Sequence, residues 1–370
     1  MNTSHSEHRR TLPAFGLLLL IIAIVLLAIN KQDAAPPENW VEGWQPLLPF
    51  THPRRALAAT AVGDYLYVLG GVDDQGRYVL PVEYARILDD GQLGPWKQTS
   101  PLLKGRFYLA SASQGDYLYA LGGGGGDLGD NNVPLASVER AKINPNGSLQ
   151  SWEHHSYLST PRRGLKASVV DERLYAIGGY NGQFLKSTEH LKPDNASAST
   201  EWHLDSELSQ TDRYIHAAAT MDKRLFLIGG HVEKGGPMSY GDVESAAIET
   251  DGNLGPWKIA QTRLLNPRFI ASAFSVNQRL YIVGGHDGIR RLATVEMAKA
   301  DSNGRVGPWT SLKNMHHKRS ATAIAITNYT IYVVGGMDDN GVLRSVEMSQ
   351  PLPNGKLGYI EKASSPIKTP

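Results

Sequence analysis

Histidines are the side chains of this sequence best suited to proton transfer or metal binding. The chain contains 12 of them, and His231 and His286 each stand directly after a glycine doublet. Imidazole titrates near neutral pH and is the commonest metal ligand in proteins. However, the histidines lack the short spacing of a metal site, and no HExxH or Ser-His-Asp signature is present. We therefore predict no metal site, no cofactor and no identifiable catalytic residue.

Arginine and glutamate recur at fixed positions, where they could either bind an anion or form buried ion pairs. An arginine stands 16 residues before each of six glycine doublets, and a glutamate follows each doublet. The pairs in chain order are Arg54 and Glu83, Arg106 and Glu139, Arg162 and Glu189, Arg213 and Glu244, Arg268 and Glu296, and Arg319 and Glu347. A buried carboxylate is costly unless it is paired, so we expect each glutamate to bind an arginine or backbone N–H groups. The alternative is a central ring of arginines that binds an anion.

The elements that position these residues repeat six times. The doublets end apolar runs, of which LYVLGG (66–71) is the first, and their first glycines are 52, 56, 51, 55 and 51 residues apart. An aromatic residue stands three positions before each doublet, and five copies then reach a tryptophan, which Tyr359 replaces in the sixth. The tryptophans are Trp96, Trp152, Trp202, Trp257 and Trp309. We expect these rings to pack between neighbouring copies.

Six doublets in register with arginine, aromatic, glutamate and tryptophan positions resemble the kelch repeat. The resemblance covers about residues 44–363 and implies an all-β fold, a six-bladed kelch β-propeller. The phrase DGQLGPW (90–96) resembles bacterial kelch proteins more than animal substrate adaptors. The residue pattern agrees with this fold, because each copy contains four short runs typical of strands. In the first copy these runs are 56–62, 65–70, 81–87 and 95–99.

The sixth blade has two candidates for its outer strand, one from each end of the repeat region. Trp44 lies ten residues before Arg54, the same spacing that separates Trp96 from Arg106. This spacing places Trp44 on the outer edge of the sixth blade. Residues 357–363 are a second candidate for that edge. We expect one segment to form the fourth strand and the other to form a fifth strand or a packed tail.

An uncharged apolar run near the N-terminus predicts a membrane anchor. Residues 12–29 have about the minimum length that spans a bilayer, and Arg9 and Arg10 before them favour a cytoplasmic N-terminus. The predicted segments are a cytoplasmic N-terminus at 1–11, a transmembrane signal-anchor at 12–30, a linker at 31–42 and the propeller at 43–366. A cleaved signal peptide is the alternative. The expected protein is single-pass, in a bacterial inner membrane, with its propeller in the periplasm.

Composition excludes several other functions. The absence of cysteine rules out disulfides, thiolate zinc sites and cysteine nucleophiles. With 37 Lys plus Arg against 36 Asp plus Glu and no basic runs, the chain does not match nucleic-acid binding. The glycine run at 122–126 lacks the Lys-Ser/Thr pair of a phosphate-binding loop.

Function is expected where the six copies differ. The loops before each first strand and between each second and third strand share one face of the propeller, here called the loop face. It includes the insertions 124–136 and 231–242, and we also place His216 on it. The predicted binding residues are Arg55, Tyr108, Arg163, Tyr180, Tyr214, His231, His286, Asp287 and Arg290. Loops on a rigid scaffold commonly carry recognition, so we predict a scaffold module that binds a protein or a glycan.

The alternative is a periplasmic carbohydrate-active enzyme such as a sugar mutarotase or epimerase, because some kelch propellers resemble carbohydrate enzymes. Mutarotation requires only an acid–base pair, which His231 or His286 could form with a nearby arginine or aspartate. The cysteine–tyrosine cofactor of galactose oxidase is excluded, since the chain has no cysteine.

Overall fold

Six antiparallel sheets follow one another along the chain, and each pairs its strands in the order first, second, third, fourth. The first strands of neighbouring sheets contact one another in turn, and that of the sixth sheet contacts that of the first, which closes the ring. The six-bladed all-β propeller is therefore confirmed. The computed structural model describes residues 35–127, 132–193, 201–232, 239–327 and 329–361.

The strands are short, as expected for propeller blades. Blade one contains Ala58–Val62, Tyr65–Leu69, Val82–Arg86 and Lys97–Thr99, within two residues of the predicted bounds. Blades two and three contain Ala110–Gln114, Tyr117–Leu121, Ser137–Lys142 and Glu153–Tyr157, then Lys166–Val170, Arg173–Ile177, Thr188–Leu191 and His203–Leu204. Blades four and five contain Ala217–Met221, Arg224–Ile228, Val243–Ala247 and Lys258–Ile259, then Ser272–Val276, Arg279–Val283, Val295–Lys299 and Thr310–Leu312. Blade six contains Ala323–Ile326, Ile331–Val334 and Val346–Pro351, and Gln45–Leu47 pairs with the last of these.

The hydrophobic core is divided among the six seams between neighbouring blades. Trp152 is buried in the seam of blades one and two, and Trp257 in that of blades three and four. The predicted packing of tryptophans between copies is therefore confirmed. A polar contact reinforces four seams, because the tyrosine three residues before a doublet donates its hydroxyl to a glycine carbonyl of the next blade. These bonds are Tyr67 to Gly147, Tyr175 to Gly252, Tyr281 to Gly355 and Tyr332 to Gly91, at 2.7–3.1 Å.

Each repeat arginine forms a buried ion pair with the glutamate of its own blade. The pairs of blades one, three and six have nitrogen–oxygen distances of 2.6–2.7 Å, and all six arginine side chains are at most 1% exposed. The carboxylate of Glu83 also accepts the N–H groups of Thr51 and His52, in the segment that enters the blade. The expected role of the glutamates is confirmed. The alternative of an anion-binding arginine ring is wrong, because the guanidinium groups are enclosed within the blades.

The charges of this pair persist at neutral pH. Burial lowers the pKa of Arg54 to about 10, while the charge and hydrogen bond of Glu83 act in the opposite direction. Burial alone would raise the pKa of Glu83. The N–H of Thr51, the charge of Arg54 and the N–H of His52 together outweigh burial and hold that pKa below its usual value.

A ring of backbone hydrogen bonds surrounds the loop-face end of the central channel. Its members stand two residues after each repeat arginine and all have positive φ, from 45° to 64°. This mouth ring consists of Ala56, Tyr108, Gly164, Ile215, Ile270 and Ala321. In five of the six steps around the ring, the N–H of one member donates to the carbonyl of the member before it, at 2.7–3.0 Å. The remaining step, from the N–H of Ile215 to Gly164, carries no such bond. This step lies between blades three and four.

No side chain fits on the second glycine of a doublet, because another backbone segment of the same blade lies too close. A Cβ on Gly71, whose φ is +85°, would lie 2.6 Å from the carbonyl oxygen of Arg55. The N–H of Gly71 instead donates to the carbonyl of Arg106 in the next blade, at 2.9 Å. The clash at Gly71 lies within blade one, whereas a Cβ on Gly70 would lie 2.9 Å from the carbonyl oxygen of Arg106 in blade two. The first glycine is therefore the one that allows close contact between blades.

Of the two candidates, the N-terminal segment forms the fourth strand of blade six. Gln45–Leu47 pairs antiparallel with the third strand of that blade, with Pro46 opposite Glu347. Trp44 is 1% exposed and packs between blades five and six. The C-terminal candidate, Leu357–Ile360, folds back on the end of the same third strand.

The first and last strands of the described chain also pair with each other. Trp40–Glu42, the last part of the predicted linker 31–42, forms a strand against Leu357–Ile360. The spacing of Trp44 gave no sign of this strand, because it lies outside the repeat. No helix of the described residues is long and apolar enough to cross a bilayer, and the predicted anchor at 12–30 lies outside them.

We predict that Trp44→Ala lowers the free energy of unfolding by about 3–5 kcal/mol, because it leaves a cavity in the seam of blades five and six. Urea unfolding followed by circular dichroism measures this loss. Tyr329→Ala is the control, since that side chain is 77% exposed and should change stability by less than about 0.5 kcal/mol. Equal stability of the two variants would contradict the closing role of the N-terminal strand.

We predict that Glu83→Gln lowers stability at pH 7 by about 3 kcal/mol or more, because Arg54 loses its buried counter-charge. Glu153→Gln is the matched control. Its ion pair with Arg140 has a carboxylate side chain that is 56% exposed, so the loss should stay below about 1 kcal/mol.

The effect of Glu83→Gln should also depend on pH. Because folding lowers the pKa of Glu83, its stabilising contribution is complete above the unfolded-state pKa of about 4.3 and is lost as pH falls through the folded-state value. The stability gap between wild type and Glu83→Gln should therefore narrow in acid. A gap that widens on acidification would refute this account.

Candidate functional site

The loop face presents one bridged residue pair per blade. In each blade, the residue directly after the repeat arginine pairs antiparallel with the residue directly after the doublet. The six pairs are Arg55–Val72, Phe107–Gly124, Arg163–Tyr180, Tyr214–His231, Phe269–His286 and Ser320–Met337. Arginine, histidine or an aromatic residue fills both positions only in blades three, four and five. The equivalent backbone positions thus carry different chemistry on the two sides of the ring.

Six rings from these three blades form a continuous contact, here called the aromatic strip. Its members are Tyr180, Phe184, Tyr214, His231, Phe269 and His286. Successive ring centroids lie 5.3–6.1 Å apart, with the tilted geometry that aromatic pairs prefer. All six side chains are partly exposed. The strip is therefore a surface whose rings already hold one another in place.

Cations border the strip on the side of blades one to three. The guanidinium of Arg163 lies 4.8 Å from the ring centre of Tyr180 and 5.8 Å from that of Tyr214. Burial raises the pKa of Tyr108, and the charges of Arg55 and Arg163 oppose that rise. The Tyr108 hydroxyl therefore lies in the field of both arginines. This part of the face attracts anionic groups.

A projecting turn borders the strip at blade five. The Asp287 carboxylate accepts the N–H groups of Ile289 and Arg290 at 2.8 Å, and Arg290 forms a 3.5 Å ion pair with it. This arrangement leaves the Ile289 side chain 92% exposed. An aliphatic side chain held out from a rigid turn is a suitable anchor for a partner surface.

The predicted binding residues thus fall into three groups. Five of them, Arg163, Tyr180, Tyr214, His231 and His286, belong to the strip or stack on it. Arg55 and Tyr108 lie beside it at the channel mouth, and Asp287 and Arg290 shape the projecting turn. Of the two insertions, residues 128–131 and 233–238 lie outside the described part of the chain.

The proposed acid–base use of His286 has little support from this geometry. The Nδ1 atom of His286 accepts the N–H of Gly288 at 2.9 Å. The carboxylate of Asp287 is engaged by the N–H groups of its own turn. Neither group is arranged as an acid–base pair.

His216 is not on the surface, where we had placed it. It is fully buried in the seam of blades three and four, and a Cβ on Gly178 would lie 2.6 Å from its Cε1 atom. The equivalent residues of blades one, two and three are Leu57, Leu109 and Leu165. Burial, together with the charges of Arg213 and Lys166, holds the pKa of His216 well below its usual value, so the ring is neutral. The sequence misled because position in a repeat does not reveal side-chain direction.

Lys166, like His216, differs from the residues that the other blades carry at its position, and it also belongs to the seam of blades three and four. It stands four residues after the repeat arginine and is the one charged residue among those lining the channel cavity. The other blades carry Ala58, Ala110, Ala217, Ser272 and Ala323 at this position. The Lys166 side chain is partly exposed, and desolvation inside the channel lowers its pKa to about 8.

The seam of blades three and four also lacks two backbone contacts that the others form. One is the mouth-ring step from Ile215 to Gly164. The other is the bond from the second doublet glycine to the next arginine carbonyl, which measures 2.8–3.0 Å at five seams but is not formed between Gly179 and Arg213. All four residues lie in the described part of the chain.

Sequence reasoning missed Phe184, Phe269, Ile289 and Lys166. Comparing the residue after each repeat arginine across the six copies would have revealed Phe269, and comparing the fourth residue after it would have revealed Lys166. Phe184 and Ile289 lie in turns of variable sequence, where no register signal exists.

The fold, the doublets and the buried ion pairs define a six-bladed β-propeller with one sequence repeat per blade. Three segments match the family described as Kelch motif, at residues 161–202, 267–297 and 318–348. These segments correspond to blades three, five and six. The chain is therefore a six-bladed β-propeller that carries kelch motifs in three of its blades.

Similar proteins agree with this assignment. The chain is 25% identical over 290 residues to Kelch-like protein 25 of Xenopus tropicalis. The matched region is 74% of this chain and 43% of that protein. It is 29% identical over 173 residues to Beta-scruin of Limulus polyphemus, covering 45% and 18%. The chain thus spans less than half the length of these relatives. A solved structure titled "Structure of YjhT" has a TM-score of 0.67 at 17% identity, covers 84% of this chain and 99% of its own, and shows the same fold.

Proposed function

We propose that this protein is a scaffold that binds a protein partner through the aromatic strip and the Ile289 turn. Kelch propellers commonly serve as protein-binding modules, and the sequence relatives include a kelch-like protein. The observation that supports this site is the continuous contact of six partly exposed rings across three blades. The other three blades carry no equivalent set at the same backbone positions.

The chemistry of the strip suits protein recognition. Aromatic residues and arginine are enriched at the centres of protein interfaces, where they contribute most of the binding energy. The rings pack against one another before any partner arrives, so little side-chain entropy is lost on binding. Arg163, stacked on two tyrosines, adds a charged donor for an acidic group of the partner.

The exposed Ile289 favours a protein over a glycan. An aliphatic side chain that is 92% exposed gains most from an apolar pocket, which a protein partner can provide and a sugar cannot. The sugar mutarotase remains the competing function, and it would depend on His231 or His286.

We predict that the double variant Phe269→Ala, Ile289→Asp loses at least about tenfold in partner capture, because two anchors are removed from one surface. The full chain is cross-linked in its own cells, solubilised in mild detergent and purified, and bound proteins are quantified by mass spectrometry. Tyr329→Asp, which changes an exposed residue between the first and second strands of blade six, is the matched control. Unchanged capture by the double variant at equal thermal stability would exclude the strip as the docking site.

The same purified protein discriminates the enzymatic alternative. Anomerically pure sugars are followed by NMR with wild type and with His231→Ala and His286→Ala. Acceleration by wild type that is lost in either histidine variant would establish the mutarotase in place of the scaffold.

We also propose that residues 12–30 hold the propeller at a bacterial inner membrane, on the periplasmic side. The support is the uncharged run at 12–29 with arginines before it. The first strand of the propeller begins at Trp40, so only about ten residues separate the two.

We predict that the full chain sediments with membranes and is digested by protease in spheroplasts, whereas deletion of residues 1–34 leaves a folded propeller in the soluble fraction. Circular dichroism and thermal unfolding check the fold of the deletion. An N-terminal sequence that begins after residue 30 in the mature protein would show a cleaved signal peptide and refute the anchor.

A further inference from the structure

Two cations lie directly opposite each other on the second and third strands of blade five. Arg279 is the antiparallel partner of Lys299, at the end of the blade away from the loop face, here called the underside. Side chains in such positions are about 5 Å apart at Cβ, so like charges repel each other. In three other blades the equivalent pair contains at most one charge: Tyr65–Arg86, Tyr117–Lys142 and Arg224–Ala247.

Arg279 is enclosed without a counter-charge. The residue is 4% exposed, and its Nη1 atom donates to the carbonyl of Asn277 at 2.9 Å. Its Nε atom is buried and has no hydrogen-bond partner within the described residues. Neither Arg279 nor Lys299 forms an ion pair in the described part of the chain. A buried guanidinium that lacks a carboxylate partner is strongly unfavourable.

The equivalent arginines of blades three and four contact acidic turns of the next blade. Arg173 packs against the glycine that follows Asp251 in the turn of blade four. The Nε atom of Arg224 donates to the carbonyl of Ser302 at 3.1 Å, and Asp301 is the residue before that serine. A carboxylate therefore accompanies both contacts.

Arg279 contacts the corresponding turn of blade six, which has no carboxylate. A Cβ on Gly355 would lie 2.5 Å from the Nε atom of Arg279. The turn has the sequence LPNGK (352–356), and its one charged residue, Lys356, is paired with Glu42 at 2.9 Å. Arg279 thus repeats the packing of the other two arginines without their acidic neighbour.

A cavity of about 310 Å³ lies on the underside of blade five, and both cations line it. The exposed Arg305 adds a third cation, and the hairpin residues Asn277 and Gln278 add two amides. The corresponding hairpins of blades one to four each contain a carboxylate: Asp64, Asp116, Asp171 and Asp222. Blade five therefore lacks acidic groups at two places where other blades carry them.

Asp301 is the one carboxylate that lines this cavity, and its own turn engages it. The Oδ1 atom of Asp301 accepts the N–H groups of Asn303 and Arg305, both at 2.9 Å. With three cations and one carboxylate, the lining has a net charge of +2. This concave, positively charged lining suits a small anion of high charge.

We propose that this cavity binds a phosphate monoester or inorganic phosphate. Arg279 and Lys299 donate to two of the phosphate oxygens, and Arg305 covers the group from the solvent side. A phosphate monoester carries a charge of about −1.5 to −2 near pH 7, which matches the lining, whereas a carboxylate carries only one charge. The anion replaces the repulsion between the two opposed cations with two charge-assisted hydrogen bonds. The site lies on the face opposite the aromatic strip, so it is separate from the proposed partner surface.

The full chain in detergent is treated with an amine-acetylating reagent, and the reaction rate of Lys299 is measured by mass spectrometry. Inorganic phosphate and glycerol 3-phosphate are compared with acetate and dimethyl phosphate at equal ionic strength. We expect the first two to slow the reaction about tenfold at about 10 mM, which corresponds to a Kd of about 1 mM. The singly charged anions should slow it less than about twofold. Lys97, an exposed lysine of blade one, is the internal control and should react at an unchanged rate.

The variants Arg279→Thr and Lys299→Ala install the residues that blades six and four carry at the equivalent positions. We expect phosphate to raise the thermal unfolding midpoint of wild type relative to acetate, and each variant to lose this rise because one of the two opposed cations is removed. Without phosphate, Lys299→Ala should raise the midpoint by about 1–2 °C, since the repulsion is relieved. Lys142→Ala, which changes the equivalent lysine of blade two, should keep the full phosphate effect.

The source of the phosphate group is determined with the full chain in nanodiscs without free phosphate. Slower acetylation of Lys299 in nanodiscs that contain phosphatidic acid than in phosphatidylcholine alone would assign a lipid headgroup. Equal rates, with protection by glycerol 3-phosphate, would assign a soluble ester. Equal protection by acetate, a retained phosphate effect in either variant, or no protection of wild type by phosphatidic acid or by about 50 mM phosphate would overturn the proposal. Partner capture through the aromatic strip is independent of every one of these outcomes.

Discussion

The buried arginine–glutamate pair is the interaction on which the remaining structure depends. The glutamate of a third strand binds the arginine and the N–H groups of the segment entering its own blade, as Glu83 binds Arg54, Thr51 and His52. The guanidinium also donates to the first glycine carbonyl of the doublet, as Arg162 does to Gly178 at 2.8 Å. One pair thus fixes three segments of a blade: the entry, the doublet and the third strand. The loop-face residues directly follow the first two of these, so the clamp also sets their positions.

This arrangement separates stability from recognition within a repeat of about 50 residues. The arginine, glutamate and doublet are the same in all six copies, while the next residue along is free to be Arg55, Phe107 or Ser320. The aromatic strip arises because three consecutive blades place rings at these variable positions. The backbone beneath the strip is the same as that beneath Val72 or Met337, so the specificity resides in side chains alone.

Most of the architecture could be predicted from the sequence because it is repeated. Six registers of Arg, aromatic and Glu, with Trp in five of them, give the same answer, and the spacing of Trp44 extends that register to the closing strand. The strip was predicted in part, since Tyr180, His231 and His286 follow doublets. The seam of Lys166 and His216 was not predicted. These residues are 50 positions apart, and only the packing of blade three on blade four brings both to one seam.

Closure by strands from both ends has a consequence for how the chain is made. The partner strand Val346–Pro351 is synthesised after all five other blades, so Gln45–Leu47 stays unpaired while those blades emerge from the ribosome. Such a long-range pairing is slow to form, and an exposed strand during that interval is a template for aggregation. Pro46 lies in the middle of the waiting strand and lacks a backbone N–H, which makes the strand a poor partner for chance pairing. Pro46, the residue least typical of a strand, therefore limits chance pairing of the nascent chain until blade six is made.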